Sequence, residues 1–512
     1  MKSFCSCLLI ISLFAISATG SNENLRVVAP DDLKPVLFEF LSEHQNLPEK
    51  DLRSKLKKYL TEEGFTFAQV AISKTAGVTT IEVKPGFMGK AQVKGNKYLD
   101  SSGILKNLDW NVGDPFNYAD FYNQSSRLNR QRFLQIDSKL KPVRGHDGEI
   151  QVNADFDVKD QYPISPYVSI SNDGTEQSSG WRSRIGLEKW ETLMPNDRLN
   201  LAYTFDPKNS SQLSSYLGSY QFGSEIKSTI YAGYSDSKYE NITSSSLNMD
   251  VAGDGFFAGF SSRVPIGTVD PDSLALTFGI NYLDLSSQIY LGTGKLLASD
   301  EDLSLFLPKV GIQGSFANPF GLRGDGFWSL DVVSDLGSSD NQDLRIQNPE
   351  LENGFWVPRL SLALLEPIEF LGKGGGLKLK VDGQVSGEPL PTSLKKSLGG
   401  LSSIRGYKER EAFGDSGVSM NLEYSLHSES TSLFGYEGKL QNMFFYDAGY
   451  VSNQGMMASA YDSVEMHSLG AGVLGNFHSD TDFSLSVGVP LSDTLDTQAL
   501  EPRTHFSINF RF

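Results

Sequence analysis

Cysteine is nearly absent from this chain. Only Cys5 and Cys7 occur among 512 residues, both inside an N-terminal run that reads as an export signal. The mature chain therefore has no thiol, which excludes disulfides and cysteine metal sites. Long hydrophobic runs are missing too: beyond residues 4–18, no stretch reaches the ~18 uncharged apolar residues that a transmembrane helix needs. Basic charge is in deficit, with 45 lysines and arginines against 62 acidic residues and a formal net charge of -17. Phosphate binding needs a basic face, so a nucleic-acid partner is excluded. The six histidines are scattered without ligand spacing, and neither a metal nor a cofactor is expected.

Catalytic signatures are equally scarce. GDSG at Gly414 to Gly417 has no convincing histidine and aspartate partners and runs on into an alternating strand, so it reads as a loop end. GAGVLG at Gly470 to Gly475 matches G-x-G-x-x-G, but no helix follows to meet a pyrophosphate; small residues in a strand account for it. GTGK at Gly292 to Lys295 is followed by leucine and is not a P-loop, and RGD at Arg323 to Asp325 reads as a turn. No G-x-S-x-G elbow is present. No catalytic residue is assigned, and an enzyme is not expected.

What the chain does have is glycine (49), phenylalanine (32) and tyrosine (20) in plenty, a mixture suited to β-structure with a wet interior. The start, Lys2, the apolar run and Ala18-Thr19-Gly20, predicts a signal peptide over residues 1–20 cut before Ser21. DDLKPVLFEFLSE then places Leu33, Val36, Leu37, Phe40 and Leu41 at helical spacing, and PEKDLRSKLKKYLTEEG repeats the pattern with Leu52, Leu56, Tyr59 and Leu60. With a strand at NLRVVA before them and FAQVAIS and TTIEVKPG after, the order is strand, helix, helix, strand, strand. Residues 87–160 go round again: GKAQVKGN, SSGILKNL, NYADFYNQSSRLNR, LQIDSKLKPV, EIQVNADFDV. Any pair of small α+β modules satisfies this segment alone. The paired βααββ order, over 24–86 and 87–160, resembles POTRA domains, the periplasmic modules of outer-membrane assembly and secretion proteins.

After Gln161 a two-residue period takes over. RLNLAYTF, SLALTFGINYL, GLKLKVDGQV and GVSMNLEYSL each carry one apolar and one polar face. A soluble sandwich alternates as well. Three facts decide for a membrane barrel over 163–512. The region runs on without a linker for about the length that ~16 strands of ~10 residues need; the chain carries an export signal; and it ends in THFSINFRF. There Phe506, Ile508, Phe510 and Phe512 alternate with Ser507, Asn509 and Arg511, which resembles the C-terminal signature of bacterial outer-membrane barrels. The fold expected is therefore two α+β modules followed by a 16-stranded antiparallel β-barrel with lipid outside and water within.

One connection, at about 388–416, exceeds the ~12 to 15 residues of ordinary loops and contains LGGLSSIRGYKEREAFGDSG. An arginine folded into a lumen needs a carboxylate partner, and MFFYDAGYV offers Asp447 amid aromatics, with Gly449 leaving space. Ile404-Arg405-Gly406-Tyr407 resembles the (V/I)RG(Y/F) loop motif, and Phe445, Asp447 and Gly449 the F-x-D-x-G strand motif, of the TpsB-type two-partner secretion transporters, the hemolysin secretion/activation family (ShlB/FhaC/HecB). The resemblance covers essentially the whole mature chain. It implies a bacterial outer-membrane location with the N-terminal domains in the periplasm, a secreted exoprotein as cargo, outer-membrane lipid around the barrel, the barrel-assembly machinery as a partner during biogenesis, and a loop whose arginine docks on the strand aspartate. Many members begin with a helix that plugs the pore; only about ten residues separate Ser21 from the first helix here, so no plug helix is expected. A barrel-assembly factor and a passive porin with N-terminal binding modules are the competing expectations.

Overall fold

The computed structural model describes residues 24–512 except 45–47, 76–77, 130, 132, 146–147, 176–177, 195, 224–225, 245–246, 267–273, 292–294, 318–323, 371–372, 434, 456–460 and 478–479. The signal segment, most of GTGK and Arg323 of RGD lie outside the described residues. The chain divides into two compact units, residues 1–162 and 163–512.

The first unit holds two modules of the same plan. In the first, β1 (Asn24–Val28) is followed by a 3-10 turn at Asp31–Leu33 running into α1 (Lys34–Glu43), then α2 (Glu49–Glu62), β2 (Gln69–Thr75) and β3 (Val78–Lys84). The sheet order is β1-β3-β2, with β1 parallel and β2 antiparallel to the central strand. The helical spacing read from the sequence puts Leu37, Phe40 and Leu41 of α1 and Leu52, Leu56 and Leu60 of α2 in one buried core with Val70, Ile81 and Val83. Gly64, at φ +89°, stops α2 in the left-handed region that glycine tolerates.

The second module repeats this with β4 (Phe87–Lys94), α3 (Ser101–Asn107), α4 (Tyr118–Asn129), β5 (Leu134–Arg144) and β6 (Ile150–Asp160), in sheet order β4-β6-β5. Its core is aromatic. Trp110 meets Phe156 edge-on at 5.5 Å, and its indole N–H donates to the Gly89 carbonyl at 3.0 Å. The Asp160 carboxylate at the end of β6 accepts the amides of Lys97, Tyr98 and Leu99 at 2.7–2.8 Å, tying down the loop after β4.

The second unit is a closed antiparallel barrel. Its first strands are β7 (Ile164–Ser171), β8 (Arg182–Trp190), β9 (Arg198–Phe205) and β10 (Leu213–Phe222). Four long ones follow: β11 (Lys227–Ser244), β12 (Leu247–Pro265), β13 (Leu274–Leu291) and β14 (Leu296–Ala317). Next come β15 (Asp325–Ser334), the short helix α5 (Asn341–Gln347), β16 (Trp356–Phe370) and β17 (Lys373–Gln384). A small hairpin, β18 (Lys396–Leu398) with β19 (Ala412–Gly414), lies in the long connection. The wall resumes with β20 (Ser416–Ser425), β21 (Glu429–Leu433), β22 (Tyr436–Ser452), β23 (Ser463–Phe477), β24 (Thr481–Pro490) and β25 (Arg503–Arg511). Because β20 and β21 pair with β22 as two parts of one interrupted strand, the wall has sixteen strands. The ring closes where β25 pairs with β7 from Ser507↔Ser171 to Arg511↔Tyr167. Chain entry and exit share one end, the Phe512 amide donating to the Pro166 carbonyl.

The four long strands outrun their neighbours. β10 pairs with β11 only as far as Ser237, and β15 with β14 only as far as Lys309, so residues 238–244 and 296–308 run on past the paired length of those neighbours. Residues directly opposite share a face, and along these strands the apolar face changes side. At wall level the outward row is Ile230, Phe260 and Ile280, and Phe256, Tyr282 and Phe306 follow on the same face, all exposed. Beyond it the outward row is Asp236, Asp254, Ser286 and Asp302. The inward pairs there are Leu283↔Leu305 and Leu285↔Leu303. Leu303, Leu305 and Leu307 are buried under α5 and its flanks, in a core with Val333, Leu344, Leu351, Phe355 and Val357. Sequence periodicity did not anticipate α5: Asp340 caps it, but in seven residues it offers only Leu344 and Ile346 as an apolar signal.

Candidate functional site in the barrel lumen

The connection from β17 to β20, residues 385–415, folds back between the walls. Its two stems are fastened first. Asp415 is fully buried, accepts the amides of Leu390 at 2.8 Å and Gln454 at 2.7 Å, and pairs with Lys395 at 3.1 Å. Leu390 and Leu394 join the core beneath α5, so two far-end connections share one apolar cluster. Gly399 (φ +104°) and Gly400 (φ +92°) then turn the chain as it leaves β18.

The turn delivers Ile404-Arg405-Gly406-Tyr407 to the wall, and all four are buried. Ile404 and Tyr407 pack with Leu398, Ala412, Val451 and Met466. Gly449 on β22 makes room for them: a Cβ there would lie 2.9 Å from Leu398 Cδ1 and 3.0 Å from Ile404 Cδ1. The Tyr407 hydroxyl lies 2.9 Å from the His467 carbonyl and 3.0 Å from that of Ser492.

Arg405 carries the charge. Its Nε donates to Asp447 Oδ2 at 2.7 Å and its Nη2 to Asp447 Oδ1 at 2.8 Å, a two-pronged pair; its own amide adds a third bond to Oδ2 at 3.1 Å. Nη1 donates to Glu423 Oε1 on β20 at 2.7 Å. The guanidinium lies over the Phe445 ring, 3.6 Å from its centroid. Asn421 donates to Asp447 Oδ1 at 2.9 Å. With Asp447 wholly buried and Arg405 nearly so, each charge depends on its partner: removing one from such a pair typically costs about 3–5 kcal/mol, because the other is left buried and uncompensated. The alternation explains how one wall supplies all this. Phe445, Asp447 and Gly449 are two residues apart on β22 and face inward together, while Asn421 and Glu423 stand opposite Asp447 and Phe445 on β20.

A sequence profile of the haemolysin secretion/activation protein ShlB/FhaC/HecB family matches residues 148–475. The chain belongs to that family. It is 20% identical over 498 residues to the heme/hemopexin transporter protein HuxB of Haemophilus influenzae (strain 86-028NP), covering 93% of this chain and 83% of HuxB. The fold is similar to that of CdiB from Escherichia coli, with a TM-score of 0.76 at 15% identity over 99% of this chain and 94% of that one. CdiB from Acinetobacter baumannii gives 0.69 at 16% identity over 96% and 89%. As a TpsB-type transporter the chain is an outer-membrane protein that secretes an exoprotein through its barrel, with POTRA-like modules in the periplasm. The far end of the barrel is therefore the outside of the cell, and it is the end that carries the acidic outward row beyond Phe306.

Of the other expected positions, Phe510 lies on β25 opposite Thr481 and Val168, in the closing strand pair, and Phe512 is exposed at the periplasmic rim. Among the described residues no cluster of histidine, cysteine or carboxylate side chains is arranged to hold a metal. Sequence reasoning missed Glu423, Asn421 and His505. The first two had a signal, their place on the polar face of GVSMNLEYSL; His505 had none beyond facing inward in the last strand.

Proposed function

We propose that residues 385–415 form the gate of the transporter and that the Arg405–Asp447 pair is the latch that holds it shut. The observation that carries this reading is the three-bond docking of Arg405 on Asp447 deep inside the barrel. A loop this long costs conformational entropy to hold in one place, and a desolvated, two-pronged ion pair supports one geometry rather than many.

Cargo reaches the gate through the N-terminal modules, which we place at residues 24–86 and 87–160. Strands β2 and β5 each pair on one side only among the described residues. An extended exoprotein segment added to either edge gains main-chain hydrogen bonds with little demand on its side-chain sequence. The chain then threads the lumen as the loop withdraws. The protein performs no catalytic step in this scheme, Phe510 and Phe512 address it to the barrel-assembly machinery, and the signal at residues 1–20 is removed on export.

The test is surface appearance of the exoprotein encoded beside this gene, compared between the parent and Arg405→Ala at equal amounts of folded barrel. Loss of export is expected. Unchanged export would detach the loop from transport.

A further inference from the structure

The latch has a second half one residue further along the loop. Arg405 and Gly406 present consecutive amides, and each is bound by a side chain from a different part of the wall. The Arg405 amide goes to Asp447 on β22, and the Gly406 amide donates to His505 Nε2 on β25 at 2.9 Å, in a buried position. Gly406 has φ +95°, a left-handed conformation that glycine tolerates. The contact is close on both sides. A Cβ on Gly406 would lie 3.1 Å from the Gly488 carbonyl carbon, and a Cβ on Gly488, on β24, would lie 2.5 Å from the Gly406 nitrogen and 2.7 Å from the Arg405 carbonyl carbon. The loop backbone is thus seated against β24 where neither Gly406 nor Gly488 has a side chain, and reaches the His505 side chain on the adjacent β25.

We infer that His505 and Gly488 form a second anchor for the gate, His505 as the acceptor of the Gly406 amide and Gly488 as the seat that lets the backbone reach it. His505 is a positioning residue in this role. It is buried and stands two residues before Ser507, the first residue of β25 to pair with β7. The loop is therefore fastened along one arc of the wall, from β20 and β22 to β24 and β25, with only β23 between them. Release from Asp447 alone leaves the Gly406 amide still bound to β25. A buried amide that loses its acceptor pays the cost of an unmade hydrogen bond, on the order of tenfold or more in the docking equilibrium.

This inference rests on the gate reading, and the experiment separates the two. The only native cysteines are Cys5 and Cys7, so in a Cys5→Ser, Cys7→Ser background Ala412→Cys places one thiol at a buried loop position. The readout is the labelling rate of that thiol by a maleimide-polyethylene glycol tag on the full-length protein in lipid nanodiscs, with barrel folding checked by heat-dependent gel mobility. His505→Ala should raise the rate roughly tenfold. His505→Gln, whose amide oxygen reaches about as far as Nε2, should return it close to the parent value. Gly488→Ala should raise it by pushing the loop off its seat.

A parent-like rate in His505→Ala overturns the second anchor, and so does failure of His505→Gln to restore what His505→Ala lost. If His505→Ala does not give a folded barrel, Gly488→Ala decides, and a parent-like rate there overturns the proposal. Arg405→Ala is the companion measurement. Fast labelling in Arg405→Ala with none in His505→Ala removes the second anchor and leaves the gate standing, while slow labelling in both removes the gate.

Discussion

The lower and upper parts of β11 to β14 are the same four strands with the same two-residue alternation, read in opposite phase. At wall level Ile230, Phe260 and Ile280 point out; beyond Phe306 the outward positions are Asp236, Asp254 and Asp302, and leucines point in. The pleat is unchanged, so the difference lies in what each face meets. In the membrane, lipid takes the apolar face and the lumen is wet. Outside it, water lies on the outer face, and the only place left for leucine is against α5 and the connections that fold over the pore. The barrel changes over a few residues from an inside-out protein to an ordinary one with a dry core.

That contrast can be broken at its upper end. Leu305→Ala removes a fully buried side chain from the core under α5 and should cost about 2–5 kcal/mol of local stability. Hydrogen exchange at residues 341–347 would report it, with the wall below unaffected. Equal protection in variant and parent would mean that α5 is not held by the leucine face.

A matched pair sharpens the contrast along a single strand. Ile280→Arg puts a charge on the lipid face and should destabilise the barrel by about 2–4 kcal/mol near the membrane midplane. Ser286→Arg, on the same face of β13 but beyond the aromatic row, should stay within about 0.5 kcal/mol. Unfolding in lipid vesicles would measure both, and equal costs would place the membrane boundary elsewhere.

The smallest effect comes from the first unit, where water alone sets the rules. Burial by itself would raise the Asp160 carboxyl, but the three amides it accepts outweigh that and hold it below the usual carboxylate range. Its contribution is therefore complete above the unfolded carboxylate value of ~3.9 and is lost as pH falls through the lower folded value. Asp160→Asn should flatten the acid limb of the unfolding curve of the second module; an unchanged limb would assign that pH dependence to other groups.

Much of the site is legible in the sequence because its parts are local. Arg405 and Gly406 are adjacent, Asp447 and Gly449 are two residues apart on one face, and a long polar connection followed by an aromatic strand with one carboxylate invites pairing. Glu423 and Asn421 were half legible, since their face was known but not their neighbours. His505 was not legible, because it meets a residue 99 positions away across strands whose stagger no periodicity reveals. Helix α5 escaped for another reason: seven residues with two apolar side chains are too few to show a period.

By itself the sequence determined the two kinds of architecture, the repeated modules, the alternating wall and the loop with its arginine, because each is written in spacings of two to four residues that follow from backbone geometry. The tertiary structure alone decided which face of β11 to β14 turns inward along their length, that two far-end connections share one core, and that the Gly406 amide rests on His505. Those outcomes depend on strand stagger and on which solvent meets each face, and both come into being only when the barrel closes.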